Sequence, residues 1–157
     1  MSAFGLAWSF NALGPGPVAG RLVGVHRTVG LTILGLTVLR LVWRILAPLP
    51  SLPPTPVWEI RLARSVQAVL YVMLLLQPLL GWAASSAQGD AVTYLGLVTL
   101  PDIVEMDETK ADTISRLHEF TGFAILALVT LHVAGALRHG LVRRDGVLRR
   151  MVTGRPG

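Results

Sequence analysis

The chain has 157 residues, of which 52% are hydrophobic and only 15% are charged, and its formal net charge is +5. This composition is too apolar for an ordinary soluble domain of such length. Because the sequence contains no cysteine, disulfides, thiolate metal sites and cysteine nucleophiles are excluded. A basic chain often binds nucleic acid, but here the arginines flank apolar segments, which favours a lipid bilayer as partner and no nucleic acid.

The first twenty residues, MSAFGLAWSFNALGPGPVAG, combine a short apolar stretch with a Gly/Pro turn. They lack the positively charged start of a signal peptide, and their apolar part is too short to cross a bilayer. We interpret this segment as the end of a helix followed by a turn, with an earlier part of the first helix missing. The alternative is a short tail that is simply translocated.

Three later segments are each long and apolar enough to cross a hydrocarbon core, which takes roughly 20 residues. A linker with five prolines joins the first two, and no helix continues through it. An acidic loop joins the last two. The sequence predicts a single all-α membrane domain, residues 1–157, with helices at about 22–46, 66–84 and 117–141, the linker at 47–56 and the loop at 85–116.

The arginines predict the orientation of these helices. Arg40, Arg44, Arg61 and Arg64 bound the first connection, and five more arginines follow the third span, whereas the acidic loop contains a single lysine. By the positive-inside rule, the first connection and the C-terminus are cytoplasmic. The loop and the N-terminus then lie outside, and we expect a multi-pass protein of a bacterial inner membrane.

Two histidines are expected at a similar depth, His26 near the outer end of the first span and His118 near that of the third. Imidazoles that face each other could clamp a planar iron porphyrin from both sides. Gly30 and Gly122 each follow a histidine by one helical turn, where a missing side chain would let a flat macrocycle approach. The alternatives are histidines that hydrogen-bond across helices and glycines that only pack.

Further polar residues repeat the fourteen-residue spacing. His132 follows His118 by fourteen positions, which places it within about 40° of the same face and roughly 21 Å deeper. His139 extends this stripe to the cytoplasmic edge, where an interfacial role and a cofactor role are both open. Arg40 follows His26 by fourteen, so it could bind a porphyrin propionate or a quinone headgroup at the depth of His132. Alternatively, Arg40 only anchors its helix by snorkelling.

The whole pattern resembles the bacterial cytochrome b561 family, which is related to the b-type subunits of hydrogenases and formate dehydrogenases. The resemblance covers about residues 20–152 and implies three transmembrane helices of a four-helix bundle, apparently without the first. It rests on GVHRTVGLTILGLTVLRLVWR at 24–44, YVMLLLQPLLGW at 71–82, TYLGLVTLP at 93–101, LHE at 117–119 and LHVAGALRH at 131–139.

By this resemblance, His26 and His118 are expected to ligate the iron of an outer haem b, and His132 that of an inner one. The second ligand of the inner haem comes, in the family, from the first helix. One haem is therefore expected as the chain stands, and two if that helix is supplied. Gln67 departs from the pattern, because family members often carry a histidine at that point.

With both axial positions filled, such a haem would pass electrons rather than activate ligands. The resemblance implies exchange of electrons with a ubiquinone-type quinone, oxidation of superoxide, or a role as the b-type subunit of a dehydrogenase. A redox partner subunit or a homodimer is compatible with each of these roles. The alternative from another class is a membrane protein without haem, either structural or using its histidines for metal transport.

Overall fold

A computed structural model describes residues 2–47 and 56–143 of the chain. Within them the chain forms four α-helices, a two-stranded antiparallel hairpin and a π-helical turn. The elements are α1 Ser2–Leu13, α2 Pro17–Leu46, α3 Val57–Ala87, β1 Thr93–Tyr94, β2 Val98–Thr99, α4 Glu108–Leu137 and the π-helical turn Arg138–Arg143.

The all-α membrane class is confirmed, because α2, α3 and α4 are each long and apolar enough to cross a membrane. All three helices begin before the predicted spans, since hydropathy detects only the part that suits hydrocarbon. Only α3 also ends later than predicted, and α4 ends at Leu137, where the π-helical turn begins. The connection between α3 and α4 is correspondingly shorter than expected and runs from 88 to 107. Residues 48–55, most of the predicted proline-rich linker, and residues 144–157, most of the arginine-rich tail, lie outside the described residues.

The N-terminal segment is helical and folds back on α2. Gly14 has φ 68, the left-handed conformation in which glycine commonly ends a helix. Pro17 then opens α2, where its missing N–H has no helical partner to lose. With 12 residues, α1 is about 18 Å long. It packs against the first part of α2, which has 30 residues and a length of about 45 Å.

The three long helices run alternately up and down, and α3 packs against both α2 and α4. Few large side chains are buried between them, and the contact between α3 and α4 uses small residues such as Ala84, Ala87 and Ala111. Large apolar side chains point outward instead, for example Leu39 and Leu131 with exposed fractions of 66% and 68%. Small residues inside and large ones outside are typical of helices packed within lipid.

The connection 88–107 folds over one end of the bundle. Trp82 donates its indole N–H to the carbonyl of Pro101 at 3.1 Å. The Arg27 guanidinium, from α2, reaches the Asp90 carboxylate at 2.6 Å. The loop is therefore fixed to both α2 and α3 at the end where α4 begins.

Asp107 marks the start of α4. Its carboxylate accepts a hydrogen bond from the Lys110 backbone N–H at 3.0 Å, as an N-cap residue does. Its own N–H donates to the carbonyl of Ala87 at 3.0 Å, which joins the start of α4 to the end of α3. The Lys110 backbone N–H and, next, its side chain lower the pKa of Asp107 below the ordinary value of 3.8.

This N-cap generates a test by pH. Because the folded state lowers the pKa of Asp107, the stabilisation is present above pH 3.8 and is lost as the pH falls through the folded value. We expect the hydrogen-exchange protection of the Lys110 amide to fall on acidification in the native chain and to be low throughout in Asp107→Ala. Asp107→Asn is the control, since asparagine also caps but does not titrate. Equal acid sensitivity in native and Asn chains would contradict this assignment.

Candidate functional site

His26 on α2 and His118 on α4 meet inside the bundle, in agreement with the similar depth predicted for them. Their ring centroids are 6.2 Å apart and the ring planes are nearly perpendicular, at 83°. Both side chains are partly buried. Because α2 and α4 bring these two imidazoles together between α1 and α3, the pair is the centre of the candidate site.

Each ring is oriented by a backbone carbonyl of a neighbouring helix. His26 Nδ1 lies 3.0 Å from the carbonyl oxygen of Ala3, on α1. His118 Nδ1 lies 3.0 Å from the carbonyl oxygen of Gln77, on α3. A carbonyl can only accept, so both Nδ1 atoms carry the proton. In the neutral rings the lone pair is therefore on Nε2, which is the tautomer that a metal ligand needs.

Gln77 holds His118 from the side of α3. Its amide Nε2 donates to the backbone carbonyl of His118 at 2.9 Å and lies 3.4 Å from His118 Nε2. The hydroxyl of Thr121 donates to Gln77 Oε1. Sequence reasoning missed both residues, although an amide inside the apolar run LLLQPLL was a usable signal, since a polar group in a membrane needs a partner.

Gly81 allows the His118 ring to approach α3 closely. A Cβ at this position would lie 3.0 Å from His118 Cε1 and 3.3 Å from Nδ1. Any side chain here would therefore push the ring away from the Gln77 carbonyl. Gly81 was also missed in the sequence, where it reads as one of several glycines in an apolar helix.

The two glycines predicted to admit a flat macrocycle differ in their surroundings. A Cβ at Gly30 would have no heavy atom within 4 Å, so the helix face one turn after His26 is open. A Cβ at Gly122 would lie 3.2 Å from Gln77 Nε2 and 3.6 Å from the ring of Phe4. Gly122 is therefore buried against α3 and α1, and its role beside a cofactor stays a prediction.

The paired histidines fit a metal ion held from both sides. An imidazole nitrogen binds a first-row metal at about 2 Å, so two ligating nitrogens are about 4 Å apart and the ring centroids somewhat further. The observed centroid separation of 6.2 Å agrees in magnitude. The protonation of each Nδ1 leaves Nε2 available to a metal ion, and the open helix face at Gly30 leaves space beside it.

The other predicted residues lie elsewhere in the bundle. His132 is half-buried on α4, about 21 Å along the axis from His118. Arg40 is exposed on α2 and donates its Nε–H to the hydroxyl of Tyr71 at 3.1 Å. The Arg44 guanidinium lies 5.8 Å from the centroid of the same Tyr71 ring. Arg40, Arg44 and Tyr71 form a second polar region between α2 and α3, separate from the histidine pair.

For two predicted residues the structure adds only their position on the backbone. His139 lies in the π-helical turn that follows α4, and its side chain is outside the described residues. Gln67 is half-buried on α3. A role for either residue stays a prediction.

Comparison with known proteins finds a matching family model and several similar proteins. A family model described as prokaryotic cytochrome b561 matches residues 1–154. Cytochrome b561 homolog 2 of Escherichia coli strain K12 is 27% identical over 129 residues, 82% of this chain and 69% of that protein. Homolog 1 of the same strain is 30% identical over 128 residues, 81% and 72% of the two chains. The probable superoxide oxidase CybB of Yersinia pestis is 27% identical over 134 residues, 85% and 76% of the two.

A pair of matched substitutions tests the close approach at Gly81. We expect Gly81→Ala to destabilise the chain by about 1–3 kcal/mol, because the new methyl group overpacks the His118 ring. Gly35→Ala is the control, since a Cβ there meets no atom within 4 Å. Alanine should stabilise that helix by up to about 1 kcal/mol. Thermal melting in detergent measures both, and equal shifts would contradict the close contact.

Proposed function

The chain belongs to the prokaryotic cytochrome b561 family, a family of b-type electron-transfer membrane proteins, and on that premise we propose that it binds one haem b between His26 and His118. The observation that carries this proposal is the pair of imidazoles 6.2 Å apart, each with its Nδ1 on a backbone carbonyl.

Each residue of the pair has a defined task in this proposal. His26 and His118 would hold a haem b through their imidazoles, and the haem would supply one-electron transfer rather than activation of a ligand. The carbonyls of Ala3 and Gln77 fix the ring orientations and raise the basicity of both Nε2 atoms. Gly30 leaves a helix face without a side chain beside the pair.

We assign the second polar region to exchange of electrons with a ubiquinone-type quinone. The Tyr71 hydroxyl holds the Arg40 guanidinium beside α3, where its remaining N–H groups can donate to a quinone oxygen or to a propionate carboxylate. His132 would bind a second haem only together with a ligand from another helix. Among the described residues, no second histidine lies beside His132.

Superoxide is one candidate electron donor, because one relative is a probable superoxide oxidase. The connection 88–107 contains no basic residue, and its acidic residues are Asp90, Asp102, Glu105 and Asp107. Its electrostatic field therefore opposes the approach of an anion unless basic groups such as Arg27 offset it. We therefore rank a quinol or a dehydrogenase subunit ahead of superoxide. The arginine distribution supports a connection on the outer side of a bacterial inner membrane and a cytoplasmic C-terminus.

The rival function, a membrane protein that uses its histidines for zinc or copper, finds less support. Structural zinc sites are almost always four-coordinate. Among the described residues, no group of three or more histidine, cysteine, aspartate or glutamate side chains could hold a metal ion. A pair of histidines suits a metal that brings its other four ligands with it, as haem iron does.

A difference spectrum tests the proposal directly. We expect the purified chain to show the reduced-minus-oxidised bands of a b-type cytochrome, with one haem per chain. His26→Ala and His118→Ala should each abolish the bands, because each removes one of the two imidazoles that would hold the haem. His132→Ala is the matched control, an alanine substitution on α4 outside the pair, and should leave them. A folded, membrane-inserted chain without haem, or one that loses haem only in His132→Ala, would refute the proposal.

A further inference from the structure

The turn of the β-hairpin is an exposed apolar surface in an otherwise acidic connection. Residues 91–101, AVTYLGLVTLP, contain no charged residue, although acidic residues lie on both sides. Three side chains at the turn are largely exposed, Leu95 at 60%, Leu97 at 83% and Val98 at 59%. We call residues 95–98 the hairpin tip.

The hairpin tip lies beside a membrane-spanning helix rather than beyond its end. The backbone N–H of Leu95 donates to the Thr28 hydroxyl at 3.3 Å, and the Tyr94 hydroxyl lies 3.3 Å from Thr32 Oγ1. Both threonines follow Arg27, whose ion pair with Asp90 marks a charged level on α2. Thr32 is five residues further along the helix, or about 7 Å. Apolar side chains of interfacial segments typically enter lipid to about 5–10 Å.

Two backbone N–H groups of the hairpin tip have hydrogen-bond acceptors, which suits a surrounding with little water. Unpaired N–H groups are costly near hydrocarbon, yet the N–H of Leu95 is satisfied by Thr28. The N–H of Leu97 donates to the Tyr94 carbonyl at 3.0 Å. Leu95 also adopts φ 55, a left-handed conformation that glycine or asparagine usually occupies. A leucine in such a strained conformation indicates that its apolar side chain has a function at this position.

We propose that the hairpin tip inserts into the boundary between lipid headgroups and acyl chains, next to α2. Its occupant is lipid, because the tip is continuous with a lipid-spanning helix, lacks charge and lies just below the Arg27–Asp90 pair. The insertion anchors the connection 88–107 over the end of the bundle that contains His26 and His118. This inference does not depend on haem binding.

Site-specific labelling tests the insertion, since the chain contains no cysteine. Leu97→Cys and, as the matched control in the same connection, the exposed Glu105→Cys are each labelled with an environment-sensitive fluorophore. Both are reconstituted into phosphatidylcholine vesicles. Each labelled chain is first shown to melt at the temperature of the unlabelled chain, and Val98→Cys replaces Leu97→Cys if that variant does not.

The label at position 97 is expected to emit at shorter wavelength and to be quenched several-fold more by shallow nitroxide lipids than by aqueous iodide. The label at position 105 should be quenched more by aqueous iodide than by the nitroxide lipids. Quenching of both positions mainly by iodide would overturn the proposal, because the tip would then face water. Protection of position 97 from both quenchers would also overturn it, because a second copy of the chain would then cover the tip.

Discussion

Two imidazole rings placed between membrane helices need hydrogen-bond partners, and this requirement organises one end of the bundle. A polar group away from water is costly unless it is paired. His26 finds the Ala3 carbonyl, so α1 has to lie along α2. His118 finds the Gln77 carbonyl, so α3 has to approach α4. The four helices meet at this level because each supplies either an imidazole or the oxygen that orients one.

The same contacts connect the fold to electron transfer. Gln77 and Thr121 fix the backbone and the depth of His118, while Gly81 leaves room for its ring against α3. In the proposed function, ligands held this rigidly would restrict the changes that an iron centre undergoes between its two oxidation states. The ion pair of Arg27 with Asp90 attaches the loop to α2 at the residue after His26. The orientation of the rings, the attachment of the loop and the proposed ligation thus use separate residues.

The sequence predicted three membrane-spanning helices and a similar depth for His26 and His118, because both follow from hydropathy and from the position of each histidine in its span. It also indicated the helix and turn before Pro17. It did not predict the Ala3 carbonyl, since a backbone acceptor has no signature in residue type, nor the β-hairpin, whose strands have only two residues each. In the sequence, Gln77 is an unusual amide in an apolar helix and Gly81 is one of several glycines, so neither predicts a contact with His118. Their roles depend on the approach of α4 across the bundle, which single-helix patterns do not contain.

We propose that His26 and His118 both bind the same iron. Pulsed electron paramagnetic resonance of the oxidised chain, grown with nitrogen-15 histidine, measures the imidazole nitrogens coupled to the iron. Two such nitrogens are expected in the native chain and in His132→Ala. A single coupled histidine nitrogen in the native chain, or none, would contradict it, because the paired rings would then serve the packing of the helices and not the ligation of a haem.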